Sequence, residues 1–191
     1  MNRALVSTVV VLLLVSGAAL LGYTRWTGPL ADADAALADG RLEQAVVRYQ
    51  IAEARFDAVP AAKQIVPGEH ARAVGNHLLA LYRLKRYDEA IDVAQKAPPA
   101  ASPDFWAACA FFQKAAVEEA PEARLGWLSR AEEEFRKAIE ASPEDWDTKF
   151  DFELTTRLAS ELRKQPNTPP KQLMQLLRPP TAGAKPPRRT G

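Results

Sequence analysis

The chain of 191 residues has a single cysteine, Cys109, so no intramolecular disulfide can form and packing alone must hold the fold. Cys109 sits among Phe105, Trp106, Phe111 and Phe112 with no basic neighbour, which suits a buried, inert thiol and not a nucleophile. Histidine is almost as scarce. His70 and His77 stand seven apart, whereas a helical metal pair stands four apart so that one ion touches both; a surface or partner-contact role fits better. Glycine is sparse in the middle of the chain, and there is no Gly-rich phosphate loop and no nucleophile elbow. No alternating β-branched run occurs outside the first segment, which argues against a sheet. The net charge of +1 conceals a basic tail: Arg178, Lys185, Arg188 and Arg189 give the last fourteen residues +4, and without them and Arg3 the rest carries −4. No basic face for nucleic acid is visible on that remainder.

The first segment is what the rest lacks, a long apolar run. Ala4 to Tyr23 holds 20 residues without a charge, enough at about 1.5 Å per residue to cross a bilayer core of about 30 Å. Tyr23, Arg25 and Trp26 follow as interface anchors. A cleaved signal peptide, cut after Ala18, is the rival reading, but the run continues to Gly22 and favours an uncleaved anchor. The expected topology is a single inner-membrane span with a cytoplasmic N-terminus and a periplasmic body.

Beyond it the chain is alanine-rich and helical. Residues 84–97, LKRYDEAIDVAQKA, place Tyr87, Ala90, Ile91, Ala94 and Ala97 on one helix face and Asp88, Glu89 and Asp92 on the other. The unit recurs upstream at 39–52, with Ala45, Tyr49 and Ala52, and downstream at 129–143, with Ala131, Phe135, Ala138 and a closing Pro143. This pattern resembles the second helix of a tetratricopeptide repeat, although the steps of 45 (Ala45 to Ala90) and 41 (Ala90 to Ala131) exceed the usual period of about 34. The fold expected is all-α: an N-terminal transmembrane helix (1–28), then degenerate tetratricopeptide-like hairpins (29–165), about six to eight helices in all. A Pro- and Arg-rich tail (166–191) with one short amphipathic helix at 171–177 is expected to be mostly disordered.

Boundaries follow from prolines and caps. Pro29 should open a short helix ending at Asp39-Gly40, and 59–68, with two prolines, should be a plain connection. Ser102-Pro103-Asp104 should start one helix through a capping hydroxyl, and Pro143-Glu144-Asp145 another, with Trp146, Phe150, Leu154, Leu158 and Leu162 aligned for packing.

Candidate chemistry is limited to acids. Glu118 to Glu153 carries twelve carboxylates against five basic residues, and Glu144, Asp145, Asp147 and Asp151 crowd one helix start. Carboxylates are calcium ligands, but a calcium loop needs alternating acids and a turn glycine; acids favouring the helix dipole are the simpler account. No cofactor is expected, and an enzyme or direct metal donor rests on this cluster alone.

Residues 143–157, PEDWDTKFDFELTTR, resemble the closing motif of the MxaK family, small accessory proteins encoded with the periplasmic methanol dehydrogenase of methylotrophic bacteria. The matching positions are Pro143, Asp145, Trp146, Asp147, Lys149, Phe150, Glu153 and Leu154; Gly75-Asn76 and the turn into residues 87–94 also fit, while Asp151-Phe152 departs from the Asn-Leu expected. A similar Trp-Asp-x-Lys motif occurs in repeat proteins linked to von Willebrand factor type A domains. The resemblance implies a non-catalytic, membrane-anchored helper in dehydrogenase maturation, where calcium insertion is one task, with von Willebrand factor type A-like proteins among its partners. Trp146, Lys149 and Phe150, with Tyr82 and Tyr87, are the expected contact residues. A general envelope scaffold or chaperone, at the export channel or in cytochrome c maturation, shares every one of these features.

Overall fold

A computed structural model of the chain describes the backbone of residues 3–164 and side chains from residue 8 onward. The helix expected at 171–177 and the tail around it lie outside the described residues. Those residues form eight α-helices and one 3₁₀ turn, with no strand: α1 (Arg3–Ala38), α2 (Leu42–Ala58), α3 (Pro60–Ile65), α4 (Pro67–Arg83), α5 (Tyr87–Ala94), the 3₁₀ turn (Pro99–Ala101), α6 (Pro103–Val117), α7 (Pro121–Ala141) and α8 (Trp146–Lys164). The all-α, tetratricopeptide-like expectation holds. The chain divides between Trp106 and Ala107 into two compact units.

In the first unit, α1 packs on α2, α2 on α4 and α4 on α5. The recurring small-residue stripe is the packing face: Ala45, Tyr49 and Ala52 on α2 and Ala90 and Ala94 on α5 are all buried. Small side chains there let helices approach closely, and apolar area leaves water at about 25 cal/mol per Å². The two hairpins turn identically. After α1, the Gly40 N–H donates to Leu37 O and Arg41 N–H to Ala36 O; after α4, Lys85 N–H donates to Tyr82 O and Arg86 N–H to Leu81 O. Both are left-handed caps, with φ of 73° at Gly40 and 61° at Lys85. Arg41 and Arg86 then stand just before α2 and α5 and reach three residues on, to Gln44 and Glu89.

Pro29 does not open a new helix; it lies inside α1. Having no N–H, it leaves the carbonyl of Arg25, four residues earlier, without its helical donor. The Arg55 guanidinium supplies one, donating to Arg25 O at 2.9 Å and Trp26 O at 3.0 Å. The Trp26 ring stands edge-on to Phe56 at 4.6 Å beside it. The apolar part of α1 and the buried part (Leu30, Ala33, Ala36) are therefore one continuous rod. Within it, Thr8–Ala38 is long and apolar enough to cross a membrane or to act as a signal sequence, and Val9 to Leu21 expose large apolar side chains.

The expected connection at 59–68 contains α3, because Pro60 and Pro67 each occupy a first-turn position and start a helix instead of breaking one. α6 does start at Pro103 as expected, but Ser102 before it is left-handed (φ 52°, ψ 52°) and closes the 3₁₀ turn, without the extended backbone usual for a capping residue.

In the second unit α7 packs on α8, and Ala115, Leu128, Leu158, Ala159 and Leu162 form a core flanked by Phe112, Leu125, Trp127 and Leu154. Ala131, Phe135 and Ala138, the third copy of the stripe, are buried. Trp146 and Phe150 are not: they are 74% and 67% exposed. A strict four-residue step advances about 40° beyond a full turn each time, so from 146 to 162 the row swings through about 160° and cannot stay on one face.

Candidate functional site

Around the expected calcium ligands, Asp145 is committed to capping the start of α8. It accepts N–H bonds from Asp147 (3.0 Å) and Thr148 (3.2 Å) and the Thr148 hydroxyl (2.7 Å), an N-cap that holds its carboxyl below the usual range. Asp151 is pushed the other way, first by burial and then by the charges of Asp147 and Asp145. Among the described residues no three His, Cys, Asp or Glu side chains gather as a metal site.

The expected contact residues fall in two places. Trp146 and Phe150 project from the first two turns of α8, and the Lys149 ammonium lies 4.3 Å from the Trp146 ring centre. Tyr82 and Tyr87 are half-buried in the first unit; their rings lie 5.8 Å apart, and Trp106 lies 5.8 Å from Tyr82. Cys109 is half-buried and not fully buried as expected; burial, with Asp151 adding to it, pushes the thiol up to about 12.

Sequence reasoning missed a cleft of about 390 Å³ in the first unit. Its walls come from α2 (Gln50, Glu53, Asp57), α3 (Lys63), α4 (His70, Val74, His77) and the α5 end (Asp92, Val93, Lys96, Ala97). The two histidines seven apart do share a face, and it is the face that lines this cleft. His77 is 2% exposed, and its Nδ1 lies 2.8 Å from Glu53 Oε1. A carboxylate only accepts, so Nδ1 carries the proton; Nε2 is buried without a partner among the described residues. Lys63 pairs with Asp57 at 2.6 Å on the α3 side. His70 is held below its ordinary value by burial and then by Lys63, and its ring lies 5.0 Å from Phe56, the residue that meets Trp26. One available signal was the repeat step of 45 residues, since extra residues in a repeat collect on one face.

Behind the cleft, Asp34 of α1 gathers the Tyr49 hydroxyl (2.7 Å) and the Asn76 amide (3.0 Å), with Arg72 at 3.5 Å. Tyr49 is fully buried, and burial followed by Asp34 pushes its phenol well above its ordinary value.

Residues 48–149, more than half the chain, match the model of a family described as Tetratricopeptide Repeats-Sensor. Neither the curated proteins nor the solved structures contain a match.

Proposed function

Because the chain belongs to the Tetratricopeptide Repeats-Sensor family, we propose that it is a non-catalytic adaptor, anchored in the inner membrane by α1 with its body in the periplasm, that holds partner proteins during methanol dehydrogenase maturation. A tetratricopeptide-like domain is a protein-interaction scaffold, and repeat domains of this type are generally non-catalytic. The observation that carries the reading is the exposed pair Trp146 and Phe150. Large aromatics cost free energy in water, and Trp is enriched among the residues that dominate interfaces. They lie in the same fifteen residues that resemble the MxaK closing motif, which supports dehydrogenase maturation factors, von Willebrand factor type A-like proteins among them, as the partners.

The test is a pull-down after cross-linking in membranes of methanol-grown cells. The native chain should recover maturation factors, and the double variant Trp146→Ala/Phe150→Ala should lose them while its stability changes by no more than about 0.5 kcal/mol, as for surface positions. Deleting the gene should stop growth on methanol while the dehydrogenase polypeptide persists. Normal holo-enzyme in the deletion strain would overturn the dehydrogenase assignment, and loss of another envelope activity instead would favour a general scaffold.

A further inference from the structure

The cleft between α2 and α5 has the features of a small-molecule site. At about 390 Å³ it lies at the lower end of the roughly 300–1,000 Å³ of ligand pockets, the size of a metabolite. It exists because α3 lengthens the turn from α2 to α4, at the point where the repeat departs most from its usual length. Its charges are only partly spent on each other. Asp57 is paired with Lys63, but Asp92 and Lys96, close together on the α5 wall, form no ion pair among the described residues. Glu53 gives one oxygen to His77, whose buried Nε2 lacks a partner. The second Glu53 oxygen and the Asp92 carboxylate therefore offer acceptors that no donor on these walls occupies among the described residues. Val74, Val93 and Ala97 add an apolar patch.

We propose that this cleft binds a free α-amino acid with an aliphatic side chain, its ammonium group held by Glu53 and Asp92, its carboxylate by Lys96, and its side chain by Val74 and Val93. An ammonium group offers three donors and no acceptor, which answers these open acceptors; a carboxylate answers the single uncommitted lysine.

Calorimetric titration of the full chain in detergent, with three probes, tests this. Leucine should bind. Its deaminated analogue 4-methylpentanoate and its decarboxylated analogue isoamylamine should each bind at least about tenfold more weakly, since each loses one charged contact. Asp92→Asn and Lys96→Ala, both at exposed positions that leave the core untouched, should each weaken leucine by about tenfold as well. The absence of heat from leucine at millimolar concentration overturns the proposal, and so does 4-methylpentanoate or isoamylamine binding as tightly as leucine. These outcomes are independent of whether Trp146 and Phe150 capture a protein.

Discussion

In the unit up to Trp106, buried polar groups find their partners far along the chain: Tyr49 with Asp34, Asn76 with Asp34, His77 with Glu53, and Arg55 with the carbonyls of Arg25 and Trp26. In the unit after it, the fully buried ones find partners within about two turns: Thr148 with Asp145, Thr155 with the Asp151 carbonyl, and Arg124 with the carbonyls of Glu118 and Glu119; its long-range contact, Arg163 of α8 with Glu132 and Ser129 of α7, is made by a half-exposed arginine. Local bonds end helices or satisfy a hydroxyl; they do not choose which helix packs on which. Long-range ones do, because the wrong arrangement leaves donors buried and unpaired, at about 1–3 kcal/mol each. The first unit therefore commits α1, α2 and α4 to one arrangement, and that arrangement frames the cleft.

The widest expected gap between the units lies at Asp34. Asp34→Ala strands the buried Tyr49 hydroxyl and the Asn76 amide together and should cost about 2–4 kcal/mol by denaturant unfolding. Its counterpart in the second unit, Thr148→Val, removes one local bond and should cost about 1 kcal/mol. Equal costs would erase the distinction.

The two arginines sharpen it. Arg55→Met and Arg124→Met each withdraw a guanidinium from backbone carbonyls, and each should cost about 1–3 kcal/mol. The difference should appear in where protection is lost. Amide exchange should quicken on both sides of Pro29 in the first variant, where the bonded carbonyl of Arg25 lies 30 residues from the substitution, but only between α6 and α7 in the second. Exchange around Pro29 that is unmoved by Arg55→Met would mean that α1 holds there without the guanidinium.

What could be read in advance follows the same division. The alanine and aromatic stripes were legible because helical periodicity is a local property: the first and third copies are buried, and in the second Ala90 and Ala94 are buried while Tyr87, Ile91 and Ala97 are half-buried. Pro29 was misread because its missing hydrogen bond is repaired from α2, which no local window reveals. Pro60 and Pro67 were read as breakers, though each starts a helix. The cleft was missed because Glu53, His77 and Lys96 come to line one pocket only after four elements have packed. Trp146 and Phe150 were picked out for contact by their motif, yet also assigned to the inward row, because a step of four looks straight over two turns and drifts over five.

A smaller effect concerns the two matching turns. Lys85 takes the left-handed conformation that Gly40 takes without strain. Lys85→Gly should stabilise the protein by about 1 kcal/mol, and Gly40→Ala should cost about as much, by thermal or denaturant unfolding. A Lys85→Gly variant less stable than the parent would show that the side chain, and not the backbone, holds that turn.

The smallest effects separate the units by pH. His70 has its pKa lowered by burial and then by Lys63 of α3, against the opposite pull of Glu53 and Asp57 of α2. The unfolded chain then binds that proton more readily than the folded one, so the first unit should lose stability as pH falls through the histidine range, around about 6.5 and below. Asp145 is lowered by the Thr148 hydroxyl and by backbone N–H groups. Its contribution is complete above the ordinary carboxylate pKa of about 3.9 and is lost only as pH falls through that value toward its lower folded one. Amide protection followed while pH is lowered should therefore weaken first in α2 to α4 and only later at the start of α8. His70→Gln should flatten the first change alone and Asp145→Asn the second alone. Both groups are largely solvated, so each slope should be shallow. Loss of protection at both places in the same pH window would show that the two units answer to a common group, and the contrast between long-range and local polar bonding would then have no counterpart in how they respond to acid.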